Sequence, residues 1–273
     1  MTHLLEPFTY AFMQRAFVTA LLIGILCPVM GTYVVLRKLA FIGDGIAHAS
    51  FAGIVIAYLR GANYYLGAAV VAVITALSIG FVHRRGRIAL DTAIGVLFTG
   101  AFALGIFLMS RQRTYAVDLQ SFLFGDILSV NRNDVVTIIA LGIAIAIVTA
   151  LLYRPLLYTS FDPIVAQAGG MKTGIIEYVL LVLVALTIII SLQAVGIVLV
   201  AALLVTPAAA AFQLTQRFHV MMALAALIGA VCAVGGLYAS YFLQSSSGAT
   251  IVLCATVLFF AAFGWRQMTL RRA

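Results

Sequence analysis

Two stretches constrain this chain more than any other feature. Residues 178–216 run for 39 positions without Asp, Glu, Lys, Arg or His, and residues 220–265 run for 46. As α-helix at about 1.5 Å per residue each would be roughly 60–70 Å long. The hydrocarbon core of a bilayer is only about 30 Å thick. Each stretch must therefore fold back once. Ser191-Leu192-Gln193 and Gln244-Ser245-Ser246-Ser247-Gly248 are the polar breaks at which the reversals are expected.

The rest of the chain repeats the pattern on a shorter scale. Charge-free stretches at 16–36, 61–82, 92–110 and 135–153 match the roughly 20 residues a helix needs to cross. A shorter stretch, 45–59, reaches that length if it starts near Ala40 and includes Asp44. Nine spans result, or eight if the segment near 192–207, with Pro207, is a broken or half-length helix. Composition agrees: 64% of the 273 residues are hydrophobic and 9% charged, against about 25% charged in soluble domains. So few charges exclude a soluble enzyme and a nucleic-acid-binding domain. The expected fold is an all-α polytopic transmembrane bundle forming a single domain over 1–273, inserted as a multi-pass protein in the inner (plasma) membrane.

The net charge of +8 orients the bundle. Placing Arg37-Lys38 in the cytoplasm puts eleven bases on that side, among them Arg84, Arg85, Arg87, Arg154, Lys172 and Arg217, and leaves five opposite. The positive-inside rule then predicts the N-terminus outside, the C-terminus inside and the loop 154–174 inside. Arg15 precedes an apolar run of 21 residues that ends in Arg37-Lys38, which suits a span and not a cleaved signal. Residues 1–14 suit a short interfacial helix or a frayed terminus. Cys27, Cys232 and Cys254 lie inside apolar runs with no CxxC, so they read as packing residues.

Eight acids exist in the chain, and one stands out. In Gly43-Asp44-Gly45-Ile46-Ala47-His48-Ala49-Ser50, Asp44 and His48 are four apart and share one helical face. A carboxylate and an imidazole one turn apart supply half of a coordination sphere for manganese, iron or zinc. The same spacing also fits an Asp–His pair locking helices, or an Asp capping the second span. Asp91 reads as the N-cap of the fourth span, and Asp118 and Asp126 as loop charges at an outer mouth. His83 and His219 read as interfacial.

The loop 154–174 is the second informative place. Asp162 is expected to cap a short helix with Pro163 at its first position, a favoured pairing. Ile164, Val165, Ala166 and Ala168 make that helix apolar, and Gly169-Gly170 ends it. An apolar helix facing the cytoplasm implies a docking partner or the lipid surface. Gly170-Met171-Lys172-Thr173 echoes a phosphate-binding loop but lacks the Gly-Lys adjacency, so no nucleotide site is expected and ATP hydrolysis would need another polypeptide. A self-sufficient secondary transporter or channel, with Asp44 and His48 relaying protons, is the competing class. An intramembrane enzyme would need a nucleophile–base pair or a fuller ligand set.

Taken together, these segments resemble the membrane subunits of ABC importers for manganese, zinc or iron. The resemblance runs over 16–265 and rests on several blocks in order. They are the Gly43–Ala49 block, Asp91-Thr92-Ala93-Ile94-Gly95, Asp118-Leu119 with Phe122-Leu123-Phe124-Gly125, and Ser160-Phe161-Asp162. Val195-Gly196-Ile197 through Ala202-Leu203-Leu204-Val205-Thr206-Pro207-Ala208-Ala209, and Ser247-Gly248-Ala249-Thr250, complete the set. The resemblance implies a type-II-importer-like bundle acting as a dimer with a second permease copy. It also implies cytoplasmic ABC ATPase subunits docked on a coupling helix, and an extracytoplasmic metal-binding protein. It assigns the pore metal ligands to Asp44 and His48, with the divalent ion as transported cargo and no permanently bound cofactor. ATPase coupling falls to Asp162, Pro163, Ile164, Val165, Ala168 and Gly170. Two positions depart from the family pattern: Pro163 where Glu is usual, and Asp126 where Asn is common.

Overall fold

The computed structural model describes residues 9–111 and 127–270. Asp118, Asp126, the block between them, residues 1–8 of the N-terminal segment, and Arg113, Arg271 and Arg272 lie outside the described residues. Among those described, all regular structure is helical: α1 (Ala11–Leu36), α2 (Ile42–Leu59), α3 (Tyr64–Gly86), α4 (Leu90–Ser110), a 3-10 turn (Ile127–Ser129), α5 (Arg132–Leu151), α6 (Tyr153–Phe161), α7 (Pro163–Ala168), α8 (Thr173–Leu214), α9 (Phe218–Leu243) and α10 (Ser247–Leu270). Nine helical segments are long and apolar enough to cross a membrane, with α8 counted as Thr173–Leu192 and Ala194–Leu214.

Helix ends follow local chemistry. Lys38 at φ 58° turns the chain between α1 and α2. The Asn63 side chain caps α3 by accepting from the Tyr65 and Leu66 N–H groups at 2.9 and 3.2 Å, and Asn131 and Asp134 form a reciprocal capping box on α5. Gln244, at φ 48°, closes α9 where the polar break predicted a reversal. The loop 154–174 holds more helix than the sequence suggested. Tyr153–Phe161 forms α6, with Pro155 tolerated because it falls in the first turn, where its missing N–H goes unused.

The first long stretch does fold back, but not as a polar turn. Glu177 lies 3.9 Å from His83, and Tyr178 and Leu181 pack on Gly80, so the first leg of α8 runs back along α3. Ser191 Oγ then meets Cys27 Sγ at 3.2 Å, while Leu204 and Ala208 lie against Gly31, so the second leg runs parallel to α1. The chain reverses at Gly196 (φ 77°, ψ 170°), beyond the predicted Ser191-Leu192-Gln193. That conformation is essentially restricted to glycine. The tip is sealed in the bundle: Ser191, Leu192, Ala194, Val195 and Ile197 are all buried. Ser191 meets another side chain rather than water, which is why a polar cluster misplaced the turn. Pro207 lies within the second leg and does not truncate it.

The two legs of α8, with α1 and α2, form the most buried part of the bundle, and α4, α5 and α10 form an apolar rim. One end of the bundle gathers Arg37, His83, Arg84, α6, α7 and the start of α8. Arg15 sits at the opposite end, donating from Nε to the Val130 carbonyl at 3.1 Å.

Candidate functional site

Asp44 and His48 fall in the first two turns of α2, with Asp44 exposed and His48 half-buried on a helix otherwise largely buried. Three small residues let α2 sit close to its neighbours. A side chain on Gly45 would meet Ile94 of α4 at 2.7 Å, one on Gly43 would meet Leu204 of α8 at 3.3 Å, and Gly105 of α4 faces Phe51 and Ala52. This packing leaves the Asp44–His48 face lining a cavity of about 690 Å³, walled by Phe41 just before α2 and by Asp91, Thr92, Gly95 and Phe98 on α4.

Asp44 does not cap the helix. The α2 cap residue is Phe41, with no side-chain cap bond, and Asp44 is inside the first turn. His48 Nδ1 lies 2.8 Å from the Asp44 backbone carbonyl, not its carboxylate. A carbonyl oxygen only accepts, so Nδ1 is the donor in this contact, and in the neutral ring Nε2 is the nitrogen left to accept. This is the usual second contact of a ligating imidazole. The ring is further held by Phe98, at 6.1 Å, and edge-on by Phe102, at 5.4 Å. Among the described residues no hydrogen bond or ion pair engages the Asp44 carboxylate. Its negative charge is favoured by the helix N-terminus. The chain thus presents a carboxylate and an imidazole, one turn apart, to an open cavity. The described residues contain no group of three or more His, Cys, Asp or Glu able to hold a metal.

Asp91 corrects the sequence reading. The α4 cap is Ala89, without a side-chain bond, and Asp91 sits one step inside the helix, in the same cavity as Asp44 and His48. Its sequence position fitted a cap, and only the packing of Gly45 on Ile94 brings it beside α2. Arg37 and Glu177 were also missed, Arg37 because it read as an orientation charge and Glu177 because it merely opens the long apolar run.

The segment after α6 is built as expected. Asp162 Oδ1 accepts from the Ile164 and Val165 N–H groups at 2.9 and 3.0 Å. Pro163 starts α7, and Gly170, at φ 83°, ends the turn that follows. Ile164 is 79% exposed and Val165 65%, while Ala166 alone in α7 is buried. Ala168 is also exposed. Beneath it, Arg37 donates from Nε to Ser160 Oγ at 3.1 Å and from a terminal nitrogen to Thr159 Oγ1 at 2.7 Å. Partial burial pulls the Arg37 pKa below its ordinary value, and the Glu177 carboxylate opposes that shift.

An apolar helical bundle with a buried hairpin, a donor pair facing a cavity and a short apolar helix at its basic end defines the class of polytopic membrane permeases. The family model described as "ABC 3 transport family" matches residues 9–266, and the chain belongs to that family. It is a multi-pass plasma-membrane protein. It is 46% identical over 255 residues to the "Manganese transport system membrane protein MntC" of Halalkalibacterium halodurans, covering 93% of this chain and 87% of that protein. It is 34% identical over 268 residues to the "Probable iron transport system membrane protein" of Haemophilus influenzae, covering 98% of both. The solved structure "PsaBC from Streptococcus pneumoniae in complex with Fab" superposes with a TM-score of 0.84 at 33% identity, over 96% of this chain and 95% of that one.

Proposed function

We propose that this chain is, as a single permease domain, the membrane-spanning subunit of an ATP-driven importer that carries a divalent transition-metal ion into the cytoplasm. The observation that carries this reading is the unengaged Asp44 carboxylate beside a His48 ring whose Nδ1 is turned to the backbone, both facing one cavity. A carboxylate with an imidazole suits manganese, iron and zinc alike. The manganese-system relative at 46% identity makes manganese the first cargo to test. The ion is substrate, and no resident cofactor is invoked. Two protein ligands per copy, completed by water or by a second copy's pair, hold an ion firmly enough to enter and weakly enough to leave.

The basic end of the bundle faces the cytoplasm in this reading. The exposed α7 residues Ile164, Val165 and Ala168, held between Asp162-Pro163 and Gly170, dock separate ABC ATPase subunits. Nucleotide is bound and hydrolysed there, not in this chain. A second permease copy completes the channel, and an extracytoplasmic metal-binding protein delivers the ion. Nucleic acid plays no part.

Reconstitution of the chain with its ATPase and binding protein in liposomes tests the reading. Manganese accumulation that requires ATP and all components is expected. Metal flux through the chain alone, without ATP, would point instead to a self-sufficient transporter. In the same preparation Val165→Asp is expected to release the ATPase, since it buries an unpaired charge at the contact. Retained association would assign α7 to the lipid surface.

A further inference from the structure

The proposed metal pair and the proposed ATPase contact are far apart in sequence, yet one side chain bridges their supports. Behind α7 lies a cavity of about 320 Å³ bounded by Arg37, His83, Leu90, Thr159, Pro163 and Glu177. Arg37 is the residue that ends α1, and its guanidinium crosses to the last turn of α6. The two hydroxyls it meets are committed as acceptors. Thr159 donates its own proton to the Pro155 carbonyl at 2.8 Å, and Ser160 donates to the Leu156 carbonyl at 2.6 Å. Asp162, which caps α7, follows directly. Arg37 is therefore fastened to the base of the α7 helix.

In the other direction Arg37 is tied to the metal pair by a short, hydrogen-bonded stretch of backbone. Lys38 turns at φ 58°. Leu39 is buried and donates its N–H to the Val34 carbonyl at 2.9 Å, the Ile42 N–H bonds Leu39 at 3.0 Å, and the Gly45 N–H bonds Phe41 at 2.9 Å. Asp44 stands in that first turn of α2. A displacement of Arg37 has little slack in which to dissipate before it reaches the carboxylate.

A second acceptor lines the same cavity as Arg37. Glu177, near the start of α8, faces it electrostatically. Its Oε1 is buried without a hydrogen-bond partner, and His83 Nε2, at 3.9 Å, is too far to supply one. A buried acceptor left open in the cavity that the guanidinium also lines offers Arg37 an alternative set of partners.

We propose that Arg37 is the positioning residue that transmits ATPase engagement at α7 to the Asp44–His48 pair, exchanging the Thr159 and Ser160 hydroxyls for the Glu177 carboxylate as it does so. The proposal rests on the reading of α7 as the ATPase contact and of Asp44–His48 as the metal pair. Its signature is a loss of coupling rather than of assembly.

The test is manganese uptake per ATP hydrolysed by the intact complex in liposomes, beside ATPase association and basal hydrolysis. Arg37→Gln and Glu177→Gln are each expected to keep association and basal hydrolysis while uptake per ATP falls at least tenfold, with Arg37→Lys restoring part of it. Wild-type uptake per ATP in Arg37→Gln, or a fall strictly proportional to lost assembly, overturns the relay. If Arg37→Gln fails to assemble, the mild double variant Thr159→Val/Ser160→Ala decides: uncoupling supports the relay and wild-type coupling overturns it. Val165→Asp, run in parallel, reports on the α7 contact itself. Retained association there defeats the docking reading, whereas intact coupling in the Arg37 and Thr159/Ser160 variants defeats only the relay.

Discussion

Asp44 and Asp162 are the same residue type at the start of a helix, and they serve opposite ends. Asp162 occupies the cap position itself, and its carboxylate is spent on two backbone N–H groups of α7. Asp44 lies inside the first turn of α2, past the cap, with its carboxylate turned to a cavity shared with His48. Three positions of register, from the cap to the third residue of the helix, decide which aspartate satisfies the backbone and which stays free for an ion. In both places the helix N-terminus favours the negative charge. At α7 that advantage stabilises a short helix of six residues that would not persist alone. At α2 it leaves both carboxylate oxygens unspent on the backbone.

The comparison breaks most sharply at Asp44. Loss of a group that merely orients a metal ligand costs about 10–100-fold in affinity. Asp44→Asn removes a ligand and its charge together, so ATP-dependent manganese uptake is expected to fall at least about a hundredfold, with ATPase association intact. His48→Ala removes a neutral ligand and leaves the charge, and a loss of roughly tenfold is expected in the same uptake assay. At Asp162 the effect should be smaller and of a different kind. Asp162→Ala removes a cap worth about 1 kcal/mol. Uptake is expected to drop about fivefold, in step with weaker ATPase association on pull-down. Asp162→Asn is the smallest expected change, within about twofold of wild type, because Asn caps as well as Asp. An Asp162→Asn variant as damaged as Asp44→Asn would erase the distinction between the two aspartates.

The sequence anticipated the parts of this picture that are local. The limits of α2 follow from the Arg37-Lys38 turn before it and Arg60 after it, and α7 from Asp162-Pro163 and Gly169-Gly170. In each, short-range chemistry decides the structure. The Asp44–His48 face follows from helical spacing alone. What escaped depends on contacts between distant segments. The reversal at Gly196 is invisible inside an apolar run, because the serine and leucine near it are buried against other helices rather than solvated. Asp91 joins the cavity only because Gly45 allows α4 to approach. The Arg37 contact with Ser160 spans 123 positions, and no periodicity encodes it. The α6 helix falls in a segment read as loop, and its Pro155 is accommodated in the first turn.

The central claim is that Asp44 and His48 hold the transported ion. Its most direct test is the metal content of the purified, ATPase-bound complex after equilibration with manganese and removal of free ion. Bound manganese in the wild-type complex, lost in Asp44→Asn and reduced in His48→Ala while the assembly elutes unchanged, is the result expected. Equal manganese in all three complexes would place the ion elsewhere and contradict the account.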